Sequence, residues 1–211
     1  MRNKKKHAAH ILSGLRRLYP KAHCELDFKN PLELIVATIL SAQCTDKRVN
    51  RVTKILFKKY RTAREYAEAN PAELESLIHS TGFFRAKARS IREMGKTLVS
   101  EFGGMVPQAM ENLLKLQGVA RKTANVVLGT AFGKAEGIVV DTHVRRLAFR
   151  MELSEEENPE KIEKDLMEIV PRRDWIFFGH AMIWHGRRVC KALAPDCPGC
   201  LLNKICPKRG I

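Results

Sequence analysis

Apolar side chains in this chain return every third or fourth residue almost everywhere and alternate almost nowhere, a pattern that restricts it to helices packed on helices. Leu32, Ile35, Val36 and Ile39 form one such stripe, Val49, Val52, Ile55 and Leu56 a second, and Ile91, Met94, Leu98 and Phe102 a third. Three more follow: Ala124-Val127-Leu128-Ala131, Val144-Leu147-Ala148-Met151 and Ile162-Leu166-Ile169-Val170. Helix starts are marked as well. Asn30-Pro31, Asn70-Pro71 with Glu73, and Asn158-Pro159 each place a side-chain acceptor ahead of a proline at the first helical position. The expected fold is all-α, with about ten short helices. The one β-like run, Ile138-Val139-Val140, is too short and isolated to found a sheet.

A chain of 211 residues suffices for one large domain or two lobes. With 45% apolar and 29% charged residues, disordered and fibrous classes are excluded for the bulk of it. No apolar run approaches the roughly 20 residues of a membrane span, and Met1 is followed by Arg2-Asn3-Lys4-Lys5-Lys6 rather than an apolar block. The expectation is a soluble, intracellular, cytoplasmic protein with no membrane partner. Net charge is +15 and unevenly placed: residues 1–22 carry seven basic and no acidic side chains, and residues 186–211 carry six basic and one acidic. Two basic ends brought to one side of the molecule would face a polyanion. Dinucleotide fingerprint, P-loop, His-Glu-x-x-His and internal repeat are all absent, which removes most small-molecule chemistries.

Four of the six cysteines crowd the C-terminal segment as Cys190-x6-Cys197-x2-Cys200-x5-Cys206, with Pro195, Pro198, Gly199 and Pro207 breaking the backbone around them. A stretch so rich in turn-formers has no core of its own, and four thiolates on a metal would supply the missing folding energy. The spacing accepts zinc or an iron–sulfur cluster equally. Cys24 and Cys44 stand apart and are expected to be small buried hydrophobes.

Between Met110–Leu116 and Arg121–Phe132, two helical stripes, lies the short connection Gln117-Gly118-Val119-Ala120. A glycine-centred hairpin leaves the first amides of the second helix without partners, with the helix dipole behind them, and so suits a phosphate. Such contacts position nucleic acid without reading its sequence. Lys122 falls one position inside that helix, where the dipole, Arg121 and partial burial would all disfavour its ammonium form and leave amine able to attack carbon. Asp141, in Val140-Asp141-Thr142-His143, stands where a helix N-cap is expected and can also exchange protons with a neighbouring amine. His143 reads as structural.

The run Leu116-Gln117-Gly118-Val119-Ala120-Arg121-Lys122-Thr123-Ala124-Asn125-Val126-Val127, then Val140-Asp141-Thr142-His143, then the cysteine tail, resembles the endonuclease III family of helix–hairpin–helix DNA glycosylases. Leu40-Ser41-Ala42-Gln43-Cys44-Thr45-Asp46 and His185-Gly186-Arg187 extend the resemblance over nearly the whole chain. It implies a helical barrel domain over residues 23–135, with the helix–hairpin–helix at about 109–132, and an iron–sulfur domain from residues 1–22 plus 136–211. A DNA-binding cleft would lie between them. It further implies a monomeric bifunctional DNA glycosylase/AP lyase of base excision repair, acting on oxidised pyrimidines and abasic sites in double-stranded DNA.

On that resemblance Lys122 attacks the sugar and forms a Schiff base, and Asp141 manages protons. Cys190, Cys197, Cys200 and Cys206 hold a [4Fe-4S] cluster. Gly118, Val119, Ala120 and Arg121 meet phosphate, and so do Arg187, Arg188 and Lys191 beside the first cysteine, with Lys204 and Lys208 also available. Gln43 and Phe83 enter the gap left by the extruded nucleotide, where an aliphatic wedge is more usual than a phenyl ring. Two positions depart from the usual Leu-Pro-Gly-Val-Gly hairpin: Gln117 replaces the proline and Ala120 the second glycine. Ala120 is costly only if its backbone needs positive φ or must touch the phosphate. The rival readings are an adenine or mismatched-thymine glycosylase on the same scaffold, which the lysine at 122 disfavours, and a non-catalytic helix–hairpin–helix DNA-binding module.

Overall fold

A computed structural model of the chain describes residues 2–211 and contains helix but no strand among them. Eleven α-helices follow in order: α1 (Arg2–Leu18), α2 (Pro31–Leu40), α3 (Asp46–Lys59), α4 (Ala63–Ala67), α5 (Pro71–Ile78), α6 (Phe84–Phe102), α7 (Met110–Leu113), α8 (Arg121–Phe132), α9 (Thr142–Arg150), α10 (Pro159–Ile169) and α11 (Trp175–Arg188). Single 3-10 turns, His79–Thr81 and Arg172–Asp174, precede α6 and α11. The marked starts form as expected. Asn30, Asn70 and Asn158 are N-caps whose side chains accept from the amides of Glu33, Glu73, and Glu160 with Lys161, and a proline follows each. The chain divides into two compact units, Met1–Cys24 with Ala135–Ile211, and Glu25–Lys134.

The Glu25–Lys134 unit is organised around α2. Seven consecutive residues, Leu34–Leu40, are buried, so this helix has no solvent face and neighbours surround it. One of those neighbours is α8, which turns Thr123, Ala124, Val127 and Leu128 inward. Ile91, Met94 and Leu98 of α6 are fully buried, each contributing about 1.5–3 kcal/mol of apolar transfer free energy. Close approach of α4 to α6 runs over Gly95, where a Cβ would lie 2.8 Å from the backbone of Ala63 and Ala67. One stripe residue departs from expectation. Ile55 is 60% exposed although Val49, Val52 and Leu56 of the same helix are buried, because its position lies at the edge of the stripe.

In the other unit α1 contributes Ala8, Ile11, Leu12 and Leu15, and Tyr19 follows just after it, to a core shared with α9, α10 and α11 and with Leu202 of the cysteine segment. That segment has no regular structure beyond turns, and Leu202, 1% exposed, is what roots it in the core.

Candidate active site

The hairpin is anchored from beneath by apolar side chains. Leu113, Leu116 and Val119 are buried, and the Val119 amide donates to the Leu116 carbonyl at 3.1 Å to close the turn. Helix α7 is a single turn, shorter than the apolar stripe Met110–Leu116, because the chain must already be reversing at Leu114. Gly118 has φ 82°, and a Cβ there would lie 2.8 Å from that of Ser90, so both backbone and space demand glycine. Ala120 is extended, with φ −89° and ψ 172°, so the alanine that replaces the second glycine carries no backbone strain. It is the N-cap of α8 and has no side-chain oxygen, so that helix starts without a side-chain cap.

Lys122 lies on the first turn of α8 and is exposed, which corrects the partial burial expected for it: the buried face of this helix begins one residue later, at Thr123. Asp141 is the N-cap of α9, and its Oδ1 accepts from the amides of both His143 and Val144 at 2.8 Å. Its second oxygen takes no part in the cap. Val140 before it and Val144 after it are buried, which fixes where the carboxylate sits on its own unit. His143 is half-buried with Nδ1 3.2 Å from the Arg146 guanidinium. Burial pushes its pKa below the ordinary value, Asp141 opposes that, and Arg146 and Arg187 reinforce it.

Phe83 is 67% exposed and is no part of the core. It has φ 48°, and Gln43, also exposed, has φ 52°. Left-handed backbone at a non-glycine residue costs about 1–2 kcal/mol, and these are two of four such residues among those described. Strain of this kind persists where surrounding structure over-determines it.

All four clustered cysteines line one pocket, partly open to solvent. Among the described residues no three His, Cys, Asp or Glu side chains are grouped as a metal ion needs. Burial raises the pKa of the Cys200 and Cys206 thiols and the neighbouring sulfurs add to it, while backbone amides of Leu202 and Lys208 oppose it. A set of thiols so placed gains most from a cationic centre that takes them as thiolates. Cys24 and Cys44 are half-buried rather than buried, because each lies in a loop between helices.

Residues 36–172 match the model of the HhH-GPD superfamily base excision DNA repair proteins. The chain belongs to that family. Among its relatives, Endonuclease III of Synechocystis sp. is 53% identical over 207 residues, covering 98% of this chain and 94% of that protein. Endonuclease III of Bacillus subtilis is 44% identical, covering 92% and 89%. A solved non-covalent Endonuclease III–DNA complex superposes with TM-score 0.93 at 45% identity, covering 97% and 95% of the two chains. A trapped Endonuclease III–DNA covalent intermediate does so with 0.93 at 44%.

In this HhH-GPD chain the residues that sequence reasoning missed are Arg146 and Arg150, one turn apart on α9. Arg146 donates to the carbonyls of Gly186 and Cys190, both at 2.9 Å. Arg150, 8% exposed, donates to the Lys191 carbonyl at 2.7 Å, the Ala192 carbonyl at 2.9 Å and the Cys190 sulfur at 3.3 Å. The helix that Asp141 caps therefore grips the cysteine segment at its other end. Their i, i+4 spacing beside an apolar stripe was the available signal, and it is shared by any solvated arginine pair. Arg187, Arg188 and Lys191 are exposed on the same unit, and the Arg188 guanidinium lies 3.8 Å from the centre of the Trp184 ring. Gln43, Phe83, the hairpin and Lys122 belong to the Glu25–Lys134 unit; Asp141 and the four clustered cysteines belong to the other.

Proposed function

We propose that Lys122 and Asp141 carry the chemistry of this base excision repair enzyme, a DNA glycosylase and AP lyase, on oxidised pyrimidines and abasic sites in duplex DNA. What supports the reading is an exposed lysine on the uncapped first turn of α8, in a chain similar to Endonuclease III over nearly its full length. Backbone amides of the hairpin and the α8 dipole accept a phosphate and set the register of the strand. Gln43 and Phe83 fill the gap as the damaged nucleotide leaves the stack, at a cost of a few kcal/mol that is smallest for an already weakened pair.

The Lys122 Nζ lone pair then forms a bond to C1′. The C1′–N bond to the base breaks, and its electron pair leaves with the base, which takes up a proton. Ring opening gives the Schiff base, a proton is removed from C2′, and the 3′ phosphate departs by β-elimination. Asp141, with one oxygen engaged in its cap, keeps the other for taking up and returning protons during the reaction. Cys190, Cys197, Cys200 and Cys206 would hold a [4Fe-4S] cluster, whose contribution is to fix the segment that presents Arg187, Arg188 and Lys191 to phosphate. Borohydride reduction during turnover tests the assignment. Wild-type protein becomes covalently trapped on lesion DNA and Lys122→Ala does not; trapping of that variant overturns it. Purified protein should contain iron and acid-labile sulfide in equal amounts, and a colourless zinc protein overturns the cluster.

A further inference from the structure

Lys87, the fourth residue of α6, is buried with 6% exposure, and no ion-pair partner for it is found among the described residues. A lysine is almost never buried without a specific partner. Its ammonium instead donates to two backbone carbonyls, of Leu40 and of Thr81, at 2.8 Å each. Leu40 ends α2, so its carbonyl lies at the negative end of that helix dipole. Thr81 ends the 3-10 turn before α6. Burial pushes the Lys87 pKa below the ordinary lysine value, with Cys44 opposing, so holding the charge there is costly and the two carbonyls offset that cost.

The two carbonyls are the roots of two separate loops. Gln43 lies three residues beyond Leu40, and Phe83 two beyond Thr81, and both tips have left-handed backbone. Bonding to one nitrogen keeps the two roots within two hydrogen-bond lengths of each other. An apolar side chain of equal length would fill the space and leave both carbonyls without a donor.

We propose that Lys87 is a positioning residue for duplex opening: it locks the Gln43 and Phe83 loops to each other so that both tips enter the duplex as one rigid pair. This rests on the reading above that those two side chains fill the gap. The test uses the full-length protein, with a duplex carrying an oxidised pyrimidine beside 2-aminopurine and a single-stranded abasic oligonucleotide. For Lys87→Met, single-turnover cleavage of the duplex should fall roughly 10- to 100-fold, the scale of a misplacement near one ångström. The 2-aminopurine fluorescence rise should be lost with it. Borohydride trapping on the single strand should stay at the wild-type level. Deuterium exchange should rise in the peptides holding Gln43 and Phe83 together, and Lys87→Arg, which keeps the donors, should regain most of the duplex activity.

Wild-type duplex opening by Lys87→Met, faster exchange in only one loop, or equal loss on both substrates overturns the coupling. If Lys87→Met does not fold, Lys87→Gln carries the same comparison. Gln43→Ala and Phe83→Ala separate this from the reading beneath it. Loss of duplex activity in both, with Lys87→Met unaffected, ends the coupling alone. Full duplex activity in both ends the gap-filling assignment and the coupling with it.

Discussion

Helix α9 begins with a carboxylate folded over its own first amides, whereas α8 begins with Ala120, whose methyl group can accept nothing. The two starts carry the two residues assigned to the chemistry, and they face opposite demands. Asp141 must be held, because a proton carrier works only from a fixed position; the cap holds it by two bonds at 2.8 Å and leaves one oxygen for exchange. On the function proposed above the α8 start must stay open, because its amides would meet a phosphate from outside and Lys122 a sugar. A helix end that satisfies itself makes a rigid residue; one that does not makes a binding site.

The largest effect expected from breaking this arrangement is at Lys122. Lys122→Gln preserves length and polarity without a nucleophile, and strand cleavage should drop by about 10⁴-fold in gel assays with duplex affinity little changed. Asp141→Asn keeps a side chain that caps as well as aspartate but takes protons poorly. Single-turnover cleavage should fall by about 10²- to 10⁴-fold while thermal stability barely moves, and Asp141→Ala should additionally lose about 1 kcal/mol. An Asp141→Asn enzyme of full activity would reduce the residue to a cap.

Gly118→Ala should cost about 1–2 kcal/mol in denaturant unfolding and weaken duplex binding, because it strains the backbone and pushes on Ser90 at once. Ala120→Gly should leave affinity unchanged, since position 120 is extended and its alanine carries no backbone strain. The smallest effect concerns pH. His143, beside the α9 cap, has its folded pKa lowered from 6.5, chiefly by burial, so the unfolded chain protonates first. Stability from this group is complete above 6.5 and is eroded as pH falls below it. Urea unfolding at pH 7 and pH 5 should show His143→Gln losing less stability on acidification than wild type.

Much of this was legible beforehand for a physical reason. Helix periodicity, Asn-Pro starts and the N-cap at Asp141 are short-range properties, encoded within a few residues of where they act. Gly118 announced itself in the same way. The exposure of Lys122 and of Ile55 was not legible, because a residue at the edge of an apolar stripe takes its burial from whatever packs beside it. Arg146 and Arg150 were missed because their partners lie some 40 residues on, at Gly186 and Cys190–Ala192. Lys87 was invisible for the same reason: nothing near it in sequence distinguishes it from the solvated Arg85 and Arg89 of the same helix.

The sequence by itself determined that the chain is helical, where most helices begin, which turn needs glycine and which four sulfurs share a fate, since each of these follows from local geometry or side-chain chemistry. Only the tertiary structure decided which lysine is buried and which is open, which arginines grip the cysteine segment, and that two loops some 40 residues apart hang from one ammonium. Those facts depend on long-range packing, where a charged side chain finds a partner or finds water, and spacing along the chain carries no record of that choice.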